Sequence, residues 1–245
     1  MRGIISWNGA RSDQFGIEIE KYPSISRPQR KIDRYTVPGR NGDIIMAQDA
    51  WDNVTQRYEI IAGDGEKHSV HGDFDNIAKW LCAPTGYCEL WDDFDPGHYR
   101  MAYFAGPMDI STLPIGRMGR ATIEFNCKPQ RYLISGKAAI PISRKTVINN
   151  RTGYAARPLI YIEGTTNGNG TLTIGKTVFS CSEIPDTCAY IDCEEMDCFD
   201  GNGTKINAKI ISSTSEFAKL EPGDNEISFT GSITKVSITP RWYEI

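Results

Sequence analysis

Catalysis needs titratable or nucleophilic groups that converge, and this chain offers few. It has three histidines, His68, His71 and His98. His68 and His71 sit in the run GDGEKHSVHGD (63–73), beside Asp64, Glu66 and Asp73. Two imidazoles and a carboxylate form a donor set for zinc or iron. No H-E-x-x-H or comparable frame holds them, so the run reads as a polar loop. Asp92, Asp93 and Asp95 could pair as acids for sugar hydrolysis. They stand beside Pro96-Gly97, where aspartate serves a turn. The acidic run Asp192–Asp200 lacks the D-x-[DN]-x-[DN]-G order of a calcium loop and reads as a solvated strand and turn. Gly164–Gly170 is glycine-rich but opens no helix, so it is not a phosphate cradle. No G-x-S-x-G elbow occurs. A triad of residues distant in sequence stays open, because such partners need not be neighbours along the chain. The expectation is a protein that is not an enzyme, with no cofactor and no metal site.

The seven cysteines form no CxxC pair. Cys181, Cys188, Cys193 and Cys198 read as small thiols buried in strands, with a disulfide or a metal set as the alternatives.

The elements that would position these groups are mostly strands. Ile4–Trp7 and Gly16–Ile19 read as short strands around a turn. In ISRPQRKIDRYTVPGRNGDI (25–44), Arg27, Arg30, Lys31, Asp33 and Arg34 crowd a segment that ends at Pro38-Gly39 and Asn41-Gly42. Asn-Gly favours the positive φ angles of a tight hairpin. Lys31–Val37 and Asp43–Ala47 are therefore expected to be two sides of a projecting hairpin. Its poor alternation and high charge suit an arm that lies on another surface. Gln56–Ala62, Tyr87–Trp91, His98–Phe104 and Thr122–Cys127 follow as strands. One helix is expected, with Phe74, Ile77, Ala78 and Leu81 on one face. Asp73 would cap its start, and Pro84 with Gly86 would end it. A helix with a single apolar stripe must bury it on a sheet.

Residues 137–147 read as a join, giving domains over 1–136 and 137–245. The second is nearly pure β, with strands expected at Pro158–Glu163, Thr171–Ile174, Cys188–Asp192, Lys205–Ile211, Glu226–Thr230 and Lys235–Thr239. Gly/Asn turns and period-two alternation point to a β-sandwich. Its aromatics Tyr154, Tyr161, Tyr190, Trp242 and Tyr243 could stack sugar rings, or could simply pack the sandwich. Trp242 and Tyr243 are the named candidates for contact with a saccharide or a partner.

Bulk properties set outer limits. The 245 residues carry a net charge of −4, so neither nucleic acid nor another polyanion is an expected partner. No apolar run reaches membrane-spanning length, so no membrane span is expected. No signal peptide is read at the start, so synthesis in a cytoplasm is expected, with exit only as part of a larger particle.

Several short motifs recur in a familiar order. They are Ser26-Arg27-Pro28, VPGRNGD (37–43), FNCKPQRY (125–132), Asn150 with Gly153, Arg157-Pro158, YIDCE (190–194), LEPGDN (220–225) and TPRWYEI (239–245). In order and spacing they resemble the distal tail (Dit) proteins of bacteriophages with long, non-contractile tails, over nearly the whole chain. The resemblance implies an N-terminal ring-forming β domain with one helix and a C-terminal galectin-like or carbohydrate-module-like β-sandwich. It implies six copies in a hub ring at the virion's tail tip. The ring would join the tail tube protein to a tail-tip fibre or lysin protein, and would carry a receptor-binding protein in some cases. It also implies that the charged hairpin clasps the neighbouring subunit, here through Arg30, Ile32, Arg34, Tyr35, Val37 and Arg40. No inserted sugar-binding domain is read in this chain, which favours a hub over direct host attachment. The alternative is a carbohydrate-binding sandwich that contacts host cell-wall saccharide.

Overall fold

A computed structural model describes residues 3–63, 70–112, 118–166, 168–184 and 187–245. The chain is mainly β with one α-helix. It divides into two compact units, Met1–Arg131 with Ile245, and Tyr132–Glu244.

The first unit contains β1 (Ile5–Trp7), β2 (Ala10–Arg11), β3 (Ile17–Ile19), β4 (Arg30–Tyr35), β5 (Ile44–Trp51), β6 (Val54–Ala62), α1 (Val70–Cys82), β7 (Cys88–Asp92), β8 (His98–Phe104), β9 (Ile110–Thr112) and most of β10 (Gly119–Leu133). Its main sheet runs β2-β1-β7-β8-β10-β6-β3, with β9 also paired to β10. Strict alternation makes β6 a half-buried strand: Val54, Tyr58, Ile60 and Ala62 point inward. β10 pairs with β6 from Gly119↔Ala62 to Cys127↔Val54, which puts Ile123 and Phe125 on the same inner face. Ile77 and Leu81 of α1 are buried against this face, as the stripe requires, and Phe74 packs beside them. Trp80 joins them. Its ring stacks on Phe15 at 4.7 Å, and its indole N–H donates to Trp7 O at 3.3 Å.

The helix begins at Val70, so Asp73 is not its cap but lies within the first turns. His71 is also helical, while His68, Asp64 and Glu66 lie outside the described residues.

The second unit contains β11 (Ile140–Ile142), β12 (Lys145–Asn150), β13 (Leu159–Gly164), β14 (Gly170–Ile174), β15 (Thr177–Cys181), β16 (Cys188–Asp192), β17 (Asp197–Asp200), β18 (Ile210–Ser212), β19 (Gly223–Gly231), β20 (Ile233–Thr239) and β21 (Tyr243–Glu244). Two five-stranded sheets, β11-β20-β13-β16-β17 and β12-β19-β14-β15-β18, form a sandwich. Ile160, Ile162, Ile191 and Ile238 of one sheet share a buried core with Leu172, Phe179, Ile227 and Phe229 of the other. The stretch 137–147, read as a join, supplies β11 and the start of β12, which are edge strands of the two sheets.

One strand expectation fails. Lys205–Ile211 is extended only from Ile210. Local hydrogen bonds win over its alternation. Asn207 Oδ1 accepts from Cys198 N–H, its amide donates to Asp197 Oδ1 at 2.8 Å, and Lys209 N–H turns back to Ile206 O at 2.8 Å.

Candidate functional site

The hairpin β4–β5 stands apart as its own two-stranded sheet. Opposite residues are Ile32↔Ala47, Asp33↔Met46, Arg34↔Ile45 and Tyr35↔Ile44, with a bulge between Arg30 and Ile32. The chain reverses through Pro38-Gly39 and then Asn41-Gly42, where Gly42 also takes a positive φ of +83°. Arg40 N–H donates to Val37 O at 3.1 Å, and Gly39 takes φ +80°. Proline then glycine at those two positions is the demand of a type II turn. The base is tied by Asp52 N–H to Gln29 O at 2.9 Å, and Arg30 lies 5.9 Å from the Trp51 ring centroid.

A lone two-stranded hairpin is marginal in water. This one also leaves large apolar groups uncovered: Tyr35 is 54 % exposed, Ile45 63 % and Met46 58 %. Tyr35 and Met46 lie on one face and Ile45 on the other, so a single flat neighbour cannot cover all three. Asp33 is held by the Gln48 amide at 2.9 Å, Asp43 accepts from Thr36 Oγ at 3.0 Å, and Lys31 meets Asp52 at 3.8 Å. Arg34 and Arg40 are exposed and enter no ion pair among the described residues. The structure thus gathers Arg30, Ile32, Arg34, Tyr35, Val37 and Arg40 on one arm. The sequence reading missed the contribution of the returning strand. Its signal was the run Ile44-Ile45-Met46, three successive apolar residues with no buried face to serve.

Trp242 and Tyr243 occupy a different setting. Trp242 packs partly against the sandwich core. Tyr243 lies between Tyr154, stacked at 5.7 Å, and Tyr132 at 6.0 Å. Ahead of them Arg241 takes a left-handed φ of +56°, a strained value for a residue with a side chain. Two contacts hold it there. Its N–H donates to Gly136 O at 3.0 Å, and its guanidinium grips Asp192 through two bonds of 2.8 and 2.9 Å. Gly136 has to be glycine, because a Cβ there would meet Trp242 N at 2.6 Å.

Burial alone would raise the Asp192 carboxyl. The Arg241 hydrogen bonds and charge, with N–H groups of Glu194 and Glu195, outweigh it and hold the group below the usual carboxylate range. A depressed folded-state value stabilises the fold above the ordinary aspartate pKa, and that stability is lost as pH falls through the folded value. Acid unfolding of the sandwich should therefore steepen below about pH 4. Asp192→Asn should cost about 2 kcal/mol near neutrality and flatten that acid limb. Circular dichroism melts from pH 7 to pH 3 test this; an unchanged acid limb in the variant would remove Asp192 from the account.

The other chemical candidates are occupied by structure. Asp92 Oδ1 accepts from the N–H groups of Phe94 and Asp95, both at 2.9 Å, and Oδ2 accepts from Tyr58 OH at 2.6 Å. Asp95 bonds His98 Nδ1 at 2.6 Å and Arg131 at 3.1 Å, and Asp93 accepts from Ile4 N–H at 2.9 Å. These carboxylates shape a hairpin tip. Asp197 pairs with Lys205 at 2.6 Å, and Asp200 accepts from Asn202 and Thr204 N–H. Cys181, Cys193 and Cys198 are buried free thiols. Burial pushes Cys181 up to about 11 and Cys198 to about 12, which keeps both protonated and unreactive.

No protein-family model and no curated protein matches the chain. Solved structures do. The crystal structure of SPP1 Dit, described as a paradigm of the hub adsorption apparatus in phages infecting Gram-positive bacteria, aligns with a TM-score of 0.73 at 14 % identity, covering 99 % of each chain. A chain of the phage P2 baseplate in its activated conformation with Ca aligns with a TM-score of 0.58 at 10 % identity, covering 97 % of this chain and 96 % of that one. The same baseplate with Sr gives 0.56 at 10 % identity. The chain has the fold of a distal tail protein.

Proposed function

We propose that this chain is a structural protein of a phage tail tip. In this reading six copies form a hub ring that joins the tail tube to the tail-tip fibre or lysin protein, and that can carry a receptor-binding protein. The observation that carries it is the arm: a hairpin with apolar groups exposed on both faces and two arginines near its tip that enter no ion pair among the described residues. Such a surface needs a partner to cover it. A cyclic ring supplies one, since each subunit offers one face to a different face of the next. Arg34 and Arg40 would then set register against carboxylates of the neighbour, with Ile32, Tyr35, Val37, Ile45 and Met46 as the apolar anchors. The fold shared with hub and baseplate proteins supports the same reading, as does a chemistry-poor set of side chains. Residence in the virion follows from it.

Light scattering with negative-stain imaging tests this. The wild-type chain, alone or co-expressed with the tail-tip protein, should give a ring six times the 27.4 kDa chain mass. Arg34→Glu with Arg40→Glu should shift the population towards monomer while protomer melting stays put. A double variant that keeps the wild-type ring mass would overturn the arm assignment. Absence of any six-fold species from the wild type would overturn the hub.

A further inference from the structure

The chain contains five Asn-Gly pairs, beginning at Asn8, Asn41, Asn167, Asn169 and Asn202. Asparagine is thermolabile, and a following glycine has no Cβ to keep the next backbone nitrogen away from the side-chain carbonyl carbon. Reaction also needs an exposed amide, a free N–H on the glycine, and a backbone able to turn one towards the other. Three of the pairs fail on these conditions. Gly203 N–H donates to Asp200 O at 3.1 Å, and Asp200 Oδ1 accepts from Asn202 N–H at 2.9 Å and Thr204 N–H at 2.8 Å, which locks that turn. Gly170 is buried in β14 between Cys181 and Gly231 of the flanking strands, and Asn169 O accepts from Ser232 N–H at 3.1 Å. Asn8 and Gly9 form a two-residue turn between the paired Trp7 and Ala10, with Asn8 at φ +49° and its N–H on Glu89 O at 3.0 Å. Rotating Asn8 would break that pairing. Asn167 lies outside the described residues.

Asn41 meets every condition. It is exposed, in the turn that joins β4 to β5. Gly42 lies outside both strands at φ +83°, and its N–H enters no hydrogen bond among the described residues. A Cβ added at Gly42 would meet nothing within 4 Å, so the surroundings leave the tip room to move. The strands below it form a lone two-stranded sheet. Such a sheet is marginal in water, and loop tips of this kind open at little cost.

We infer that Asn41 is a site of spontaneous modification that places a carboxylate on the arm. The Gly42 nitrogen gives up its proton to water and attacks Asn41 Cγ. The new C–N bond closes a five-membered imide as the Cγ–Nδ2 bond breaks, and Nδ2 leaves as ammonia. One water then opens the ring. Cleavage at Cγ gives aspartate. Cleavage at the main-chain carbonyl gives isoaspartate, which carries the chain through the side chain and adds one carbon to the backbone of the tip. Nothing is oxidised or reduced. Either product sets a negative charge beside Arg40. If the arm clasps a neighbour as proposed, this carboxylate competes for Arg40 with those of the neighbour, and subunits that wait too long lose their grip.

The full chain should be incubated in heavy-oxygen water at mildly alkaline pH, then digested in ordinary water and read by peptide mass spectrometry at intervals. Heavy oxygen marks the conversion that took place in the folded chain. The Asn41 peptide should convert first, to aspartyl and isoaspartyl forms that both carry the label. Asn202 and Asn169 should convert at least about tenfold more slowly, the protection that one hydrogen bond gives. Asn8 should trail Asn41 as well. Asn41→Gln keeps an amide but is one methylene too long to close the five-membered ring, so it should stay unconverted while rates elsewhere hold. The inference is overturned if Asn41 keeps its amide, if it converts no faster than Asn202 or Asn169, or if its product lacks the label. Ring mass separates the site from the assembly. In the wild type the six-fold species should decline as Asn41 converts, and in equally aged Asn41→Gln it should persist. Conversion with no loss of ring would overturn the effect on the clasp. A fresh chain that forms no ring would count against the hub, while the mass spectra still decide the site.

Discussion

Phe125→Ala lowers the stability of the first unit by about 4 kcal/mol, the cost of a large cavity in a close-packed core. Phe125 is fully buried where β10 crosses the middle of the main sheet. Its ring touches aromatics from three other strands: Trp7 at 4.8 Å, Phe104 at 5.8 Å and Tyr58 at 6.2 Å. No neighbour can slide into the gap without losing its own contacts. Tyr58 is further pinned by its hydroxyl on Asp92. Against a typical total of about 5–15 kcal/mol, the loss would leave the unit near its threshold. Urea unfolding followed by tryptophan fluorescence measures it. A loss under about 1 kcal/mol would mean that the aromatic cluster relaxes, contrary to this packing.

Asn225→Ala is expected to cost the sandwich about 3 kcal/mol. The side chain is buried, and its amide donates to Glu221 O at 2.7 Å, Gly223 O at 3.0 Å and Ile148 O at 3.4 Å. Its oxygen accepts from Glu221 N–H at 2.8 Å. Alanine removes all of these bonds at once and leaves the buried Ile148 carbonyl without this donor. Asn225→Asp is instructive beside it, since a carboxylate keeps the acceptor and loses the donors. It should fall nearly as far as alanine. If thermal melts show aspartate close to wild type, the donor bonds are not what holds the loop.

Asn225 also shows what the short motifs are. LEPGDN winds a loop around Asn225. Asn150 does the same from β12, donating to Leu220 O at 2.8 Å and Tyr154 O at 2.9 Å while its oxygen accepts from Thr152 N–H and Oγ. YIDCE contributes Asp192, and TPRWYEI contributes the Arg241 that grips it. VPGRNGD is a type II turn. These motif residues are thus staples that fix loops and strand ends. The helix stripe and the long alternating strands were legible because their periodicity is local. Short pieces such as β2, β9 and β21 were not, because two or three residues are too few to show a period. The arm was legible from its charge and its turn. Its apolar returning strand became visible only when both faces proved to be open.

The strand order of the sandwich also sets a timetable for synthesis. β20 lies between β11 and β13, and β19 lies between β12 and β14. Each sheet therefore waits for a strand near the end of the chain before its first strand can pair. The path from β2 to β3 in the other unit needs nothing after β10. Domains generally fold in the order they leave the ribosome. The hairpin and the strands from β1 to β10 are then made while the second half of the same chain is still being translated. If the arm clasps a neighbour as proposed, it is made before the sandwich that follows it can close.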